Sequence, residues 1–216
     1  MSQLDQYLLK TLLYLFDNWF NPNTGIVACC IYDEDKVSFA TSTRNGLNWL
    51  HAERNAYEKF VASYNCKPSS NATFIITLSP CVKDLKYRGE SSCSELIQDL
   101  GVKRIHFGVL DDFHVPTLDE YTQLGFTATV TTEPHLAEMC QKLMSMFATY
   151  ESRINSELLE IKIELSLEFF QPVWNVISER NVISRENSEN FSLPILKTIT
   201  PTKNTNQNKI SHNCNL

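Results

Sequence analysis

Three side chains that suit a soft divalent metal and one that can move protons stand out in the chain. They are His51, Glu53 two residues on, Cys81 behind Pro80, and Cys93. One imidazole and two thiolates fit zinc, filling three of its four tetrahedral positions and leaving the fourth for a water. A water so held has its pKa lowered from ~15.7 to roughly 7, which makes hydroxide available at neutral pH. A carboxylate close to such a centre, but not bound to it, can carry protons between water and a reacting substrate. Glu53 stands where that carboxylate is needed. The plainer alternative takes His51 as a helix-start residue, Glu53 as a solvated carboxylate and both cysteines as core. His-x-Glu or Pro-Cys alone is common by chance. Both in this order, about a helix plus a strand apart, are much harder to obtain by accident.

Eleven residues separate the two cysteines, so the chain must leave the first and fold back before the second can reach the same metal. Residues 82–92 are polar and contain Gly89, which suits such a loop. Ser91 or Ser92 then caps a helix beginning near Cys93, with Glu95 in its first turn. Taken together, His51-Ala52-Glu53, Ser79-Pro80-Cys81 and Cys93 are similar to the signature of zinc-dependent base deaminases, in which usually only two residues separate the cysteines. With its long loop the chain resembles more closely the pyrimidine deaminase of riboflavin biosynthesis. Thr77-Leu78-Ser79-Pro80-Cys81 looks like that family's strand-to-metal turn, and Leu100-Gly101-Val102-Lys103-Arg104-Ile105 is similar to its next helix-to-strand junction. Family loops read Gly-Arg where this chain has Arg88-Gly89.

The resemblance covers about residues 1–150 and implies a zinc cofactor on His51, Cys81 and Cys93, with Glu53 as the catalytic proton shuttle. The implied reaction is hydrolytic deamination of an aminopyrimidine, a small-molecule pyrimidine nucleotide of the riboflavin pathway. Substrate contacts would come from Asn23 (or Asn21) in an Asn-Pro turn, from backbone at Ala52 and around Pro80, and from Arg88. The implied fold is α/β: a three-layer α/β/α cytidine-deaminase-like arrangement with a mixed five-stranded sheet, assembling as a homo-oligomer. Deoxycytidylate deaminase shares His51-Ala52-Glu53 and is a rival reading. A non-catalytic, zinc-stabilised interaction protein would keep the three ligands but could dispense with Glu53.

The chain is 216 residues long, enough for one domain of about 150 residues and an added segment. A formal net charge of −6 argues against a nucleic-acid partner, which calls for a basic face. Seven cysteines without framework spacing, Cys29 and Cys30 adjacent, fit a reducing cytoplasm better than secretion. No apolar run approaches ~20 residues, so no membrane span is expected, and the N-terminus lacks the basic segment of a signal peptide.

The elements that must position the four residues follow from periodicity. Residues 3–20 form an amphipathic helix. Residues 26–32 make a buried strand containing Cys29 and Cys30, and 36–40 a strand returning after a turn at Asp33-Glu34-Asp35. Residues 41–49 are a polar loop, in which Asn45, Asn48 and Trp49 could touch a base. A helix over 51–63 carries His51 and Glu53 in its first turn, with Ala52, Ala56 and Phe60 inward and Arg54, Glu58 and Lys59 solvated. A strand over 72–78 delivers Cys81 at its carboxyl end, the edge where open α/β sheets bind ligands.

Residues 93–100 are the second metal helix and 104–110 the next strand, with His106 in the core or behind a ligand. Asp111, Asp112 and His114 follow at the same edge. A helix over 118–124 ended by Gly125 leads to a strand over 126–132. That connection implies a parallel crossover, as in nucleotide, tRNA and riboflavin deaminases, whereas free-cytidine deaminases join these strands by a tight turn. A last helix starts at Thr132-Glu133-Pro134, with Leu136, Met139, Cys140, Leu143 and Phe147 inward.

Three segments are expected: a deaminase domain over 1–150, an extra piece over 151–183 and a flexible tail over 184–216, rich in Asn, Ser, Thr and Lys. Residues 159–169 alternate apolar and polar side chains, as a strand would, and resemble the opening strand of the reductase domain of bifunctional riboflavin enzymes. Too little chain follows for a whole nucleotide-binding domain, so the segment reads as a remnant, an interface strand or a chance pattern.

Overall fold

A computed structural model describes residues 1–19, 21, 23–45, 48–82, 91–111 and 117–150. Ser2 caps the first helix, α1 (Gln3–Asp17), by accepting from the Asp5 amide, and the Asp5 carboxylate takes the Ser2 N–H and O–H in return. This capping box satisfies free donors of the first turn. Leu8, Leu12, Leu15 and Phe16 recur at helical spacing and, with Leu9, are buried. The helix stops three residues short of the expected end, because the chain turns at Asn18 and its side-chain amide donates to the Tyr14 carbonyl at 2.8 Å.

The sheet is built from β1 (Thr24–Asp33), β2 (Lys36–Asn45), β3 (Asn48–Leu50), β4 (Thr73–Leu78), β5 (Arg104–Val109) and β6 (Thr127–Val130), in the order β3-β2-β1-β4-β5-β6. β1 runs antiparallel to β2 and β4, while β4, β5 and β6 are parallel. The mixed five-stranded sheet is present, and the three-residue β3 adds an edge strand to it. The polar loop expected over 41–49 is corrected: β2 continues to Asn45, and β3 pairs back on it through Thr43 and Leu50, Arg44 and Trp49, and Asn45 and Asn48. Polarity misled here because edge pairing is made by backbone groups and needs no apolar run. The parallel pairing of β5 with β6 agrees with the crossover expected from α4 (Leu118–Gln123), after which Gly125 turns with φ +85°.

Alternation along the strands divides the molecule into layers. Cys29 and Ile31, Phe74 and Ile76, and Ile105 and Phe107 share one core with Ala52, Ala56 and Phe60 of α2 (Ala52–Tyr64), Ile97 of α3 (Cys93–Asp99) and Tyr121 of α4. The residues between them face α1 and α5 (Pro134–Tyr150). There Cys30 bonds Thr11, His106 reaches Asp5, and Gly108 lies against Cys140. A Cβ on Gly108 would sit 2.8 Å from the Thr77 carbonyl and closer still to the Cys140 thiol, so only glycine lets α5 approach. Leu136, Met139, Cys140 and Leu143 are buried as expected. The alternating segment, the tail and the side chain of Phe147 lie outside what is described.

His106 is a core residue on the α1 face, across the sheet from α2 and α3. Its Nε2 lies 3.2 Å from Asp5 Oδ1 and its Nδ1 2.9 Å from Thr129 Oγ1, while Thr131 donates to the same Asp5 oxygen at 2.6 Å. Each buried apolar side chain of α1 contributes about 1.5–3 kcal/mol, so the apolar stripe holds the helix down. The polar network chooses its register, since a shift would leave a buried carboxylate unpaired.

Burial pulls the His106 pKa below its ordinary 6.5, and Asp5 only partly opposes this. For Asp5 burial works upward, but hydrogen bonds from Thr131 and Ser2 outweigh it and leave the carboxyl below its usual 3.8. The unfolded chain therefore takes up a proton at His106 near pH 6.5, and the folded chain only at lower pH. The stability from neutral His106 is complete above that value and is lost as pH falls below it. Asp5 adds a loss confined to lower pH still. The thermal midpoint should drop between pH 7 and 5, and His106→Gln should flatten that slope. An equally steep slope in the variant, measured by circular dichroism melts, would count against this account.

Candidate active site

Three backbone termini converge at the carboxyl edge of β4. The strand ends at Leu78, and Ser79 extends its pairing by donating from its amide to the Val109 carbonyl at 2.9 Å. The Ser79 hydroxyl accepts from the Asp111 amide at 2.8 Å, and buried Tyr121 donates to the Pro80 carbonyl at 2.5 Å. The turn carrying Cys81 is thus fastened to β5 and α4 before any metal is considered.

From the second direction comes α2. His51 is its N-cap, in extended conformation (φ −70°, ψ 146°), and its side chain makes no capping hydrogen bond. The imidazole instead points its Nδ1 at the two sulfurs, 3.4 Å from Cys93 Sγ and 3.7 Å from Cys81 Sγ. The third terminus is α3, whose first residue is Cys93 and whose cap is Ser92, accepting from the Glu95 amide at 3.1 Å. The Cys93 amide donates to Cys81 Sγ at 3.2 Å and the Ser94 amide to the Cys81 carbonyl at 3.0 Å.

The three ligand atoms lie within 4.8 Å of one another. Zinc bonds of ~2.3 Å to sulfur and ~2.0 Å to nitrogen at tetrahedral angles would hold nitrogen and sulfur about 3.5 Å apart. The observed separations straddle that value, so the residues fit the ion. Its double charge would also offset the two thiolates, which burial otherwise disfavours.

Glu53, one residue into α2, is buried at 3% exposure. Burial raises its pKa, His51 nearby opposes that, and Cys81 adds to it. The nearby Cys93 thiol, like His51, works to lower it. Of the two thiols, Cys81 loses its proton first, because the Cys93 thiol, His51 and the Cys93 amide all bond to its sulfur. Facing that thiolate, the buried Cys93 is pushed up. Glu53 is thus not the solvated carboxylate of the plainer alternative.

Other expected positions fare differently. Ala52 and Pro80 are buried beside the ligands they adjoin in sequence. Asn23 is exposed in the turn before β1, its carbonyl accepting from the Arg44 amide at 2.8 Å, and it leads into the end of β1 that lies alongside the end of β4. The Asn21 side chain makes that turn by accepting from the Asn23 amide at 3.0 Å. Arg88, Asp112 and His114 lie outside the described residues. Asp111 is buried at the sheet edge.

Glu58 and Lys59 are exposed on the face of α2 expected to be solvated, and Arg54 alone is corrected. Its Nη2 donates to the Ser91 carbonyl and, at 3.1 Å, to the Ser91 hydroxyl. Lys59, exposed as expected, bonds the Phe39 carbonyl and the Tyr14 hydroxyl. Neither Arg54 nor Tyr121 could be singled out from the sequence, because their partners are brought near only by the fold.

The model of the "Cytidine and deoxycytidylate deaminase zinc-binding region" matches residues 2–109. Among solved structures, the Aspergillus oryzae Rib2 deaminase, as a C-terminal deletion mutant, has 16% identity over 76% of this chain and 100% of its own, with a TM-score of 0.50. The diaminohydroxyphosphoribosylaminopyrimidine deaminase/5-amino-6-(5-phosphoribosylamino)uracil reductase of Thermotoga maritima has 20% identity over 68% of this chain and 42% of its own, TM-score 0.48. Acinetobacter baumannii RibD has 19% identity over 69% and 40%, TM-score 0.47. The chain thus spans about two fifths of the length of the last two. At such identities the likeness is one of fold. No curated protein sequence matches significantly.

Two outcomes are expected from the geometry. Protein purified without chelator should carry one zinc per chain, and Cys93→Ala should weaken its binding by more than the 10–100-fold typical of outer-shell changes, as read by competition with a chromophoric chelator. Tyr121→Phe should cost about 1–3 kcal/mol in urea melts, by leaving the buried Pro80 carbonyl without its donor. The family match runs through all three ligands and covers half of the 216 residues, and the chain accordingly belongs to the zinc-binding cytidine and deoxycytidylate deaminase family.

Proposed function

We propose that the chain is a hydrolytic deaminase of an aminopyrimidine nucleotide, with Glu53 as its proton shuttle and His51, Cys81 and Cys93 as its zinc ligands. The observation that carries this reading is the burial of Glu53 against the three ligands. Enclosing a carboxylate next to two thiols is costly, and a metal that served only to hold the fold would gain nothing from it. When bound, zinc supplies the acidity that makes hydroxide available at neutral pH. Glu53 takes the proton released, hands it to the ring nitrogen, and serves again as ammonia leaves. Tyr121 and the Ser79 hydroxyl keep the Pro80 carbonyl and the Cys81 turn in place, and the buried first turn of α2 keeps bulk water from the carboxylate.

The substrate reading is a diaminopyrimidine nucleotide of the riboflavin pathway. It is supported by the resemblance of residues 77–81 and 100–105 to that deaminase and by the extended spacing between the cysteines. Among solved proteins of this fold are a Rib2 deaminase and a bifunctional deaminase/reductase named for such a pyrimidine. The parallel β5–β6 pairing speaks against a free-cytidine enzyme. Asn23, Ala52, Pro80 and Arg88 are the proposed substrate contacts, and a homo-oligomer the proposed assembly. Deoxycytidylate is the second substrate to try, since the matching family is described by that activity.

Ammonia release by zinc-loaded protein distinguishes these readings. The riboflavin precursor should be turned over, with deoxycytidylate inert, and Glu53→Gln should lower kcat by about 10²–10⁴-fold. Turnover of deoxycytidylate alone would replace the substrate reading. Turnover unchanged in Glu53→Gln would remove the mechanism. Silence on both substrates with zinc bound would favour the non-catalytic rival.

A further inference from the structure

We propose that Arg54 is a positioning residue for the metal centre. It fastens the end of the excursion between Cys81 and Cys93 to the helix that carries His51 and Glu53, and so holds the second sulfur at the distance the other ligands require. The proposal rests on reading His51, Cys81 and Cys93 as one metal site.

Bringing the ends of a loop together costs entropy that grows with its length. Two cysteines in neighbouring turns of one helix start would be placed by that helix alone, whereas here eleven residues intervene. The re-entering chain has local ties. Ser92 caps α3, and the Cys93 and Ser94 amides bond to Cys81. These bonds set Cys93 relative to Cys81, but none of them reaches α2 directly, and the tetrahedron needs both sulfurs at a fixed distance from His51 Nδ1. Arg54 supplies that link. It stands three residues after His51, within the same first turn. It donates to both the carbonyl and the hydroxyl of Ser91, two residues before Cys93.

Both bonds leave one nitrogen, Nη2, which thus bridges two oxygens of a single residue. Because Arg54 reaches the backbone of the excursion, it restrains the chain itself and not merely a side chain.

The test uses the full chain. Zinc affinity is measured by chelator competition, and the visible spectrum of the cobalt(II)-substituted protein reports whether one nitrogen and two sulfurs remain tetrahedrally arranged. Arg54→Met should bind zinc 10–100-fold more weakly and lose cobalt band intensity, while keeping its secondary structure at saturating zinc. Arg54→Lys should recover part of the loss. Ser91→Ala, which spares the carbonyl, should cost less than Arg54→Met and add little on top of it. A lowered thermal midpoint with zinc affinity within about twofold of the parent and an unchanged cobalt spectrum would overturn the proposal, leaving Arg54 a purely structural contact. Should Arg54→Met fail to fold, Arg54→Lys and Ser91→Ala decide in the same way, and unchanged affinity and spectrum in both overturn it. If the parent chain itself takes up no zinc, the metal reading falls and the proposal with it.

Discussion

A buried carboxylate, a buried thiol and a half-buried thiol are held together at one end of a sheet, where little water can solvate the first two. Most of the architecture around them can be understood as a response to that crowding. A strand end and two helix starts arrive there, so the groups are carried on short, stiff backbone and not on free loops. Helix starts also present amide donors to anions, and the Cys93 amide spends its hydrogen bond on the Cys81 sulfur. A divalent cation at the centre resolves the remaining conflict, because it stabilises the thiolates that burial alone would penalise.

The opposite face of the sheet serves the site from a distance. The parallel β4 and β5 must end in register for Ser79 and Asp111 to meet, and register is a property of the whole sheet. On that face α1 and α5 press against β1, β4 and β5, and Gly108 lets α5 come close. The Asp5–His106–Thr131 network then fixes how α1 lies on β5 and on the segment just after β6. An error in that packing would move the strand ends, and with them the turn at Cys81. Apolar burial supplies the force and the buried polar bonds supply the choice among packings.

The spacing of the two cysteines shows how a fold can keep a metal site while changing the chain that builds it. When a helix start alone no longer presents both sulfurs, other bonds must replace its geometry. The local ties of Ser92, Cys93 and Ser94 replace part of it, and the Arg54–Ser91 link spans the remaining gap to α2. Such a substitution of tertiary for local restraint costs ordering entropy but leaves the loop between free to vary in length and composition.

Much of the site was legible before any coordinates. His51, Glu53, Cys81 and Cys93 were identifiable because metal and proton chemistry tolerate few residue types, and the helices and central strands because apolar periodicity is strong where burial is one-sided. β3 was missed because an edge strand of three residues is too short to show a periodic signal, and Arg54 was read as solvated because a charged residue on a helix usually is. Residue types and spacing thus determined which groups could bind a metal and move a proton, since those are covalent properties of side chains. Whether a helical arginine would end at water or on Ser91, whether Tyr121 would reach Pro80, and whether Glu53 would be buried were decided only by the tertiary structure. Each depends on a partner from a distant segment, whose position is set by packing and not by neighbours in the chain.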